Sequence, residues 1–258
     1  VFKGDVEAEI FEAAGGLTQE SSISVRGEVR ADARSPLGFE LGLQSLQIVQ
    51  ATQDYPISPK EHGTAFLMEN RHLWLRSIRP NAVLRIRGAI IDACRQFMSQ
   101  EGFLLIDAPI LTPAACEGTT TLFETDYFGD TAYLTQSGQL YMEAAAMAFG
   151  KVYSFGPTFR AENSKTRRHL TEFWMIEPEM AYCDLAQNME IAEAMVAHVA
   201  SRVLTDCKGQ LEVLQRDTAP LEKVAAGRPF PRLRYDDAID ILKTKGSQIE
   251  WGSDLGGE

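Results

Sequence analysis

The sequence predicts an α+β protein in two parts, a small partial β-barrel followed by a larger domain of antiparallel strands flanked by helices. Three observations predict it. Ile23-Ser-Val-Arg-Gly-Glu-Val29 and Phe39 to Val49 alternate apolar and polar residues, as half-buried strands do. Val83, Ile86, Ile90, Cys94 and Phe97 recur at helical spacing. Val152 to Glu162 and Asn163 to Glu179 read together as strand, polar loop, strand.

The elements follow in order. Phe2 to Ala14 is a strand or a helix. The two alternating runs flank the turn cluster Arg34-Ser-Pro-Leu-Gly38, and short strands with a Gly-rich hairpin suit an OB-fold. Pro56 and Pro59 mark a linker, and the aromatic-basic string Arg71-His-Leu-Trp-Leu-Arg76 follows it. Pro80 suits the first turn of a helix that runs to Gly102. Phe103 to Leu111 is a strand ended by Pro109, and Thr112 to Asp130 is a polar loop around Glu117-Gly118. Tyr133 to Gln136 is a short strand, and Gln139 to Phe149 is a helix closed by Gly150. After the hairpin, Ala186 to Thr205 is a helix capped by Asp184, Leu211 to Pro231 is mixed, and Tyr235 to Lys245 is a short helix.

Composition narrows the function classes. At 258 residues, 45% hydrophobic and 24% charged, the chain reads as soluble and globular, with room for two domains. No apolar run approaches a membrane span and no signal peptide opens the chain, so a cytoplasmic location is expected. Cys94, Cys116, Cys183 and Cys207 make no metal-ligand or CxxC spacing and are expected as buried thiols. A net charge of -11 argues against wrapping nucleic acid over the whole surface, but it leaves room for a local basic groove. Neither Val1-Phe2-Lys3 nor Ser253 to Glu258 reads as a natural edge, so truncation at both ends is expected.

The hairpin carries the chemistry. Arg160 and Glu162 lie two apart, so a strand would put both on one face. A guanidinium there can clamp a phosphate while the carboxylate accepts from a base. Lys165, Arg167, Arg168 and His169 add a cationic cluster suited to a polyphosphate, and Phe173 offers a ring for stacking. Together these describe a nucleotide site.

Four pieces now stand in order: helix, strand and Pro109; Glu117-Gly118; Gln136-Ser-Gly-Gln139; and Phe159-Arg-Ala-Glu162 with its loop. Together they resemble the class II aminoacyl-tRNA synthetases, in the subgroup that charges Asp, Asn and Lys. The longer strings are similar to the asparaginyl branch: His72-Leu-Trp-Leu-Arg-Ser77, Tyr133-Leu-Thr-Gln-Ser-Gly-Gln-Leu-Tyr-Met-Glu143, and Phe159-Arg-Ala-Glu-Asn-Ser-Lys-Thr-Arg-Arg-His-Leu-Thr-Glu-Phe173. The resemblance implies residues 1–55 as a partial OB-fold anticodon-binding domain, 56–79 as a linker, and 80–258 as an incomplete class II catalytic domain. It implies ATP as substrate with Mg²⁺, asparagine and tRNA(Asn) as partners, and a homodimer through the Arg85 to Leu111 element.

Residue roles are implied in the same way. Arg160 would bind the α-phosphate, Glu162 would accept from the adenine amino group, and Phe173 would stack on the ring. Arg168 and His169 would meet the outer phosphates or the acceptor end of tRNA. Glu117, Gln139 and Glu177 would hold the substrate ammonium. Taken alone, Glu117 reads as a solvated loop carboxylate. Aspartyl members carry a Lys where this chain has Met142. A neutral residue there, followed by Glu143 as an amide acceptor that repels a carboxylate, favours Asn over Asp.

The family's third motif, with its late Arg and the acidic pair that holds Mg²⁺, is not matched after Gly246. The metal ligands are therefore expected outside these residues, and the isolated fragment is expected to be inactive. Three rival readings stay open: an aspartyl enzyme of relaxed tRNA specificity, a tRNA-independent asparagine synthetase on the same fold, and a non-catalytic paralogue acting as a binding module.

Overall fold

The computed structural model describes residues 1, 4–35, 37–113, 115, 122–162, 169–227 and 229–255. Its contacts divide the chain into two compact units, Val1–Pro80 and Asn81–Glu258.

In the first unit, α1 (Ala8–Gly15) precedes β1 (Ser22–Ala31) and β2 (Phe39–Gln50). The two strands pair antiparallel, with Ile23 opposite Ile48 and Val29 opposite Leu41. The register shifts between Arg26 and Gly27. Gly27 is required at that point, because a Cβ would lie 2.3 Å from the Gly42 carbonyl oxygen. Among the described residues β1 and β2 form a two-stranded sheet, so no closed barrel is seen. A ribbon of two strands cannot cover its own apolar face, and Ile23, Val25, Leu41 and Ile48 stay exposed. The 56–79 segment contains α2 (Thr64–Glu69) and α3 (Arg71–Trp74).

The second unit is built on α4 (Ile78–Gln100), which starts just before the division. Pro80 lies in its first turn, where a missing N–H breaks no helical bond. Cys94 and Phe97 are buried as the spacing predicts, whereas Val83 and Ile90 are exposed. Then follow β3 (Leu104–Leu105) and β4 (Leu111–Thr112). The single strand expected over Phe103 to Leu111 is therefore two short ones in different sheets. Pro109 lies between them and has no amide hydrogen for a ladder.

The expected polar loop also ends in structure, for β5 (Glu124–Tyr127) and β6 (Asp130–Leu134) form a hairpin. Phe128 and Gly129 both have positive φ, 56° and 97°, as a tight two-residue hairpin turn requires. Next come α5 (Gln139–Phe149), β7 (Lys151–Phe159) and β8 (Glu172–Met180). The chain continues through α6 (Leu185–Asp206), α7 (Lys208–Val213), α8 (Ala219–Ala226) and α9 (Tyr235–Thr244). Asp184 caps α6 in a reciprocal capping box with Gln187. The segment read as mixed thus holds the end of α7 and the whole of α8.

β7 is the central strand of the β3-β7-β8 sheet, parallel to β3 and antiparallel to β8. Its two faces do different work. Tyr153, Phe155, Ile176 and Met180 pack with Phe97, Met98 and Phe103 and with Ile191, Ala194 and Met195 of α6. On the opposite face Val152 packs with Met142 and Ala146 of α5. Elsewhere the buried Glu193 accepts from the Phe230 amide at 2.9 Å and pairs with Arg232 at 3.1 Å, tying the chain before α9 to α6.

Cys94 and Cys207 are buried free thiols and burial pushes both up in pKa; Cys183 is half-buried, and Cys116 lies outside the described residues. Among the described residues no helix is long and apolar enough to cross a membrane.

Met98 has no exposed surface, whereas Met147 is 77% exposed. Met98→Ala is expected to cost about 2–5 kcal/mol in urea unfolding, and Met147→Ala less than about 0.5 kcal/mol. Equal losses at the two sites would contradict the packing described.

Candidate functional site

The face of the sheet that meets α5 gathers the polar residues. The β7–β8 register sets Val152 opposite Glu179, Ser154 opposite Glu177 and Thr158 opposite Phe173. Side chains two apart share a face, so Glu177, Glu179 and Phe173 all project where Val152 meets α5. Strand β7 ends at Phe159, not at Glu162 as the sequence suggested. Arg160 keeps one ladder bond, its amide donating to the Thr171 carbonyl at 3.0 Å. Glu162 lies past the strand and is exposed.

Arg160 is half-buried, with its Nη1 donating to the Gln136 carbonyl at 2.6 Å. Its guanidinium also lies over the Phe173 ring, 5.9 Å from the centroid. The two predicted nucleotide residues thus stand together. His169 is exposed at the other side of the loop. Arg168, Lys165 and Arg167, and Glu117 with Gly118, lie outside the described residues.

The sequence reading missed how Glu177 is held. Ser137 Oγ donates to Glu177 Oε1. The Gly138 amide donates to Oε2 at 3.0 Å, and Ser154 Oγ donates to the same oxygen at 3.3 Å. Three donors leave about one lone-pair site of the carboxylate for a further partner. Glu177, expected at the substrate ammonium, is thus also held by the protein itself, which uses most of its accepting capacity. Adjacent small polar residues before a helix, Ser137-Gly138, were the signal available in the sequence. Nothing in the sequence alone connects them to Ser154.

Gln139 opens α5, and its Nε2 donates to Glu143 Oε1 at 2.8 Å, so two predicted amino-acid residues are brought together one helical turn apart. Met142, between them in sequence, is fully buried in the cluster with Val152. Glu179 is an addition. Burial pushes its carboxyl above the usual carboxylate range, and the charges of Glu143 and then Glu177 push it further. One end of this face is therefore anionic, while Arg160 makes the other end cationic.

Among the described residues no three His, Cys, Asp or Glu side chains converge as metal ligands. Such a surface can take a phosphate at Arg160, a stacked ring at Phe173, and a cationic or amide group near Gln139 and the glutamates.

Residues 63–255 match the family model described as tRNA synthetases class II (D, K and N). The structure superposes on asparaginyl-tRNA synthetase from Pyrococcus horikoshii, solved in complex with asparaginyl-adenylate, with a TM-score of 0.92 and 42% identity. That match covers 98% of this chain and 58% of the other. Asparaginyl-tRNA synthetase from Entamoeba histolytica follows at TM-score 0.84 and 28% identity, covering 97% of this chain and 60% of that one. Aspartyl-tRNA synthetase from the same organism shares the fold at TM-score 0.78 and 24% identity, over 99% of this chain and 55% of the other. The chain spans less than two thirds of the length of these relatives. With a family model matched over most of its residues, and asparaginyl-tRNA synthetases among its structural neighbours, the chain belongs to the class II tRNA synthetases of the Asp, Lys and Asn group.

Proposed function

We propose that the protein containing this chain activates asparagine with ATP and transfers it to tRNA(Asn). The observation that carries the choice of amino acid is the anionic end of the site. Burial, and then the nearby charges of Glu143 and Glu177, raise the Glu179 pKa. A substrate side chain bearing a second carboxylate is repelled there, whereas an amide can donate its N–H groups to a carboxylate. The neutral Met142 adds no compensating cation. Similarity to the Pyrococcus enzyme, solved with asparaginyl-adenylate, supports the same reading.

In this reading the asparagine carboxylate attacks the α-phosphorus of ATP. Asparaginyl-adenylate forms and pyrophosphate leaves; the terminal ribose hydroxyl of tRNA then takes the acyl group. Arg160 neutralises charge that develops on the α-phosphate, and its bond to the Gln136 carbonyl holds it in place before substrate arrives. Phe173 stacks the adenine on the ring face away from Arg160, and Glu162 accepts from its amino group. Arg168 and His169 serve the outer phosphates or the acceptor end. Glu117, Gln139 and the remaining lone pair of Glu177 receive the substrate ammonium, with Glu143 reading the amide.

Magnesium, if bound with the nucleotide, would neutralise phosphate charge. The described residues supply no ligand set for it, and none of the roles assigned to them runs through the metal. Residues 1–55 belong to an anticodon-binding OB-fold and 56–79 to a hinge. Ile90, Leu104, Leu105, Ile110 and Leu111 are exposed apolar residues on the Arg85 to Leu111 element, which supports that element as a homodimer interface.

ATP–pyrophosphate exchange by the full-length protein is expected to prefer Asn over Asp by about 100-fold or more in kcat/KM. Equal or better use of Asp would overturn the specificity. Arg160→Ala is expected to lower kcat about 10²–10³-fold, and full activity of that variant would remove Arg160 from the phosphate.

The anionic end also affects stability. A carboxyl raised above its unfolded pKa binds more protons in the folded state. Its contribution is therefore present at low pH and is lost as pH rises through the ordinary value of 4.5 to the raised one. Glu179→Gln, which cannot ionise, is expected to raise Tm more at pH about 7 than at pH about 4. A Tm difference independent of pH would show that Glu179 is not held in this field.

A further inference from the structure

The segment from Thr135 to Gln139 is fixed at every residue. The Thr135 carbonyl accepts from the Phe159 amide at 2.8 Å, and its amide donates to the Ile110 carbonyl at 2.8 Å. The Gln136 carbonyl holds Arg160. Ser137 and Gly138 are held by Glu177, and Ser137 Oγ in turn accepts from the Gln139 amide at 3.0 Å. Thr135, Gln136, Ser137 and Ser154 are each buried to 5% exposure or less. Gly138 is pressed against the same cluster, for a Cβ there would lie 2.5 Å from Ser154 Oγ.

We infer that Ser137, Gly138 and Ser154, gathered on the Glu177 carboxylate, form a positioning device that sets the Arg160 guanidinium for the α-phosphate. The inference rests on the activation reaction proposed above and goes beyond its list of substrate contacts. One short segment presents a carbonyl to Arg160 and, three residues later, the Gln139 side chain at the start of α5. Whatever displaces Ser137 and Gly138 moves both. Glu177 is suited to the centre because an ionised carboxylate only accepts, and all three partners donate. A Gln at the same place keeps only one acceptor oxygen, so its NH₂ would face either a serine hydroxyl, which would have to turn from donating to accepting, or the Gly138 amide, which cannot accept. None of Ser137, Gly138 and Ser154 is assigned here to substrate; they act through Arg160 and Gln139.

The test uses the full-length protein. Exchange by the parent comes first, with Asn and with Asp, and it decides the proposed function by itself. Ser154→Ala is then expected to lower kcat about tenfold while both KM values stay within about twofold, because Arg160 acts on charge that develops in the transition state. In an Arg160→Lys background the same Ser154→Ala change is expected to cost less than about twofold, since the residue it positions is already altered. Unchanged kcat in the single variant, or a full tenfold loss in both backgrounds, overturns the inference while leaving the proposed activity intact.

A second readout needs no activity. Amide hydrogen exchange at Gly138 and Gln139 is expected to quicken at least tenfold in Glu177→Gln and in Ser154→Ala, with exchange in the α6 core unchanged. Unaltered protection at Gly138 and Gln139 overturns the inference even in a protein that activates no amino acid.

Discussion

The register of the β7–β8 pair is the constraint on which the site depends. With Ser154 opposite Glu177 and Thr158 opposite Phe173, one face of the hairpin is almost wholly apolar and the other carries the polar groups. A slip of β8 by one residue would turn Glu177 and Glu179 into the Phe97–Met98 cluster. Burial of two carboxylates among Phe97, Met98 and Phe103 would cost several kcal/mol for each charge left unpaired. The hydrophobic packing of α4 and α6 thus holds the functional face in place from behind.

Charge is divided along that face. Arg160 sits at the loop end of the hairpin, and Glu179 near the other end, opposite Val152. Ser137, Gly138 and Ser154 satisfy much of the hydrogen-bonding capacity of the Glu177 carboxylate without adding a cation. This matters for the proposed reaction, which joins two anionic groups. Under the proposed function a cation at the amino-acid end would bind the wrong substrate side chain, whereas hydroxyl and amide donors from the turn and from β7 hold Glu177 without cancelling its charge.

Much of the fold was legible because local rules and tertiary packing agree. The helix from Gln139 to Phe149 and the Asp184 cap are local features, written in short stretches of sequence. Strand Phe103 to Leu111 failed because its apolar run hides a change of sheet that Pro109 permits. The β5–β6 hairpin was missed because Phe128-Gly129 is a weak turn signal and Glu124 to Tyr127 is exposed throughout. At the site, Arg160 and Phe173 were legible from their order along the hairpin. The Ser154–Glu177–Ser137 network was not, since its members lie 23 and 40 residues apart and meet only through the sheet register.

In the proposed function, Met142 links packing to choice of substrate. It is fully buried against Val152 and Ala146, one residue before the exposed Glu143 on the same helix. A long neutral thioether fills that space with no polar atom needing a partner. A lysine of similar length would bring its ammonium into the same space, where it persists only if it reaches a carboxylate. Glu179, raised in pKa by burial and by Glu143 and Glu177, is the group such a charge would relieve. The core position and the anionic end are thus one decision. Under the proposed function, methionine leaves the glutamates without a cationic partner, which favours an amide, whereas a cation at 142 would oppose their field and favour a carboxylate.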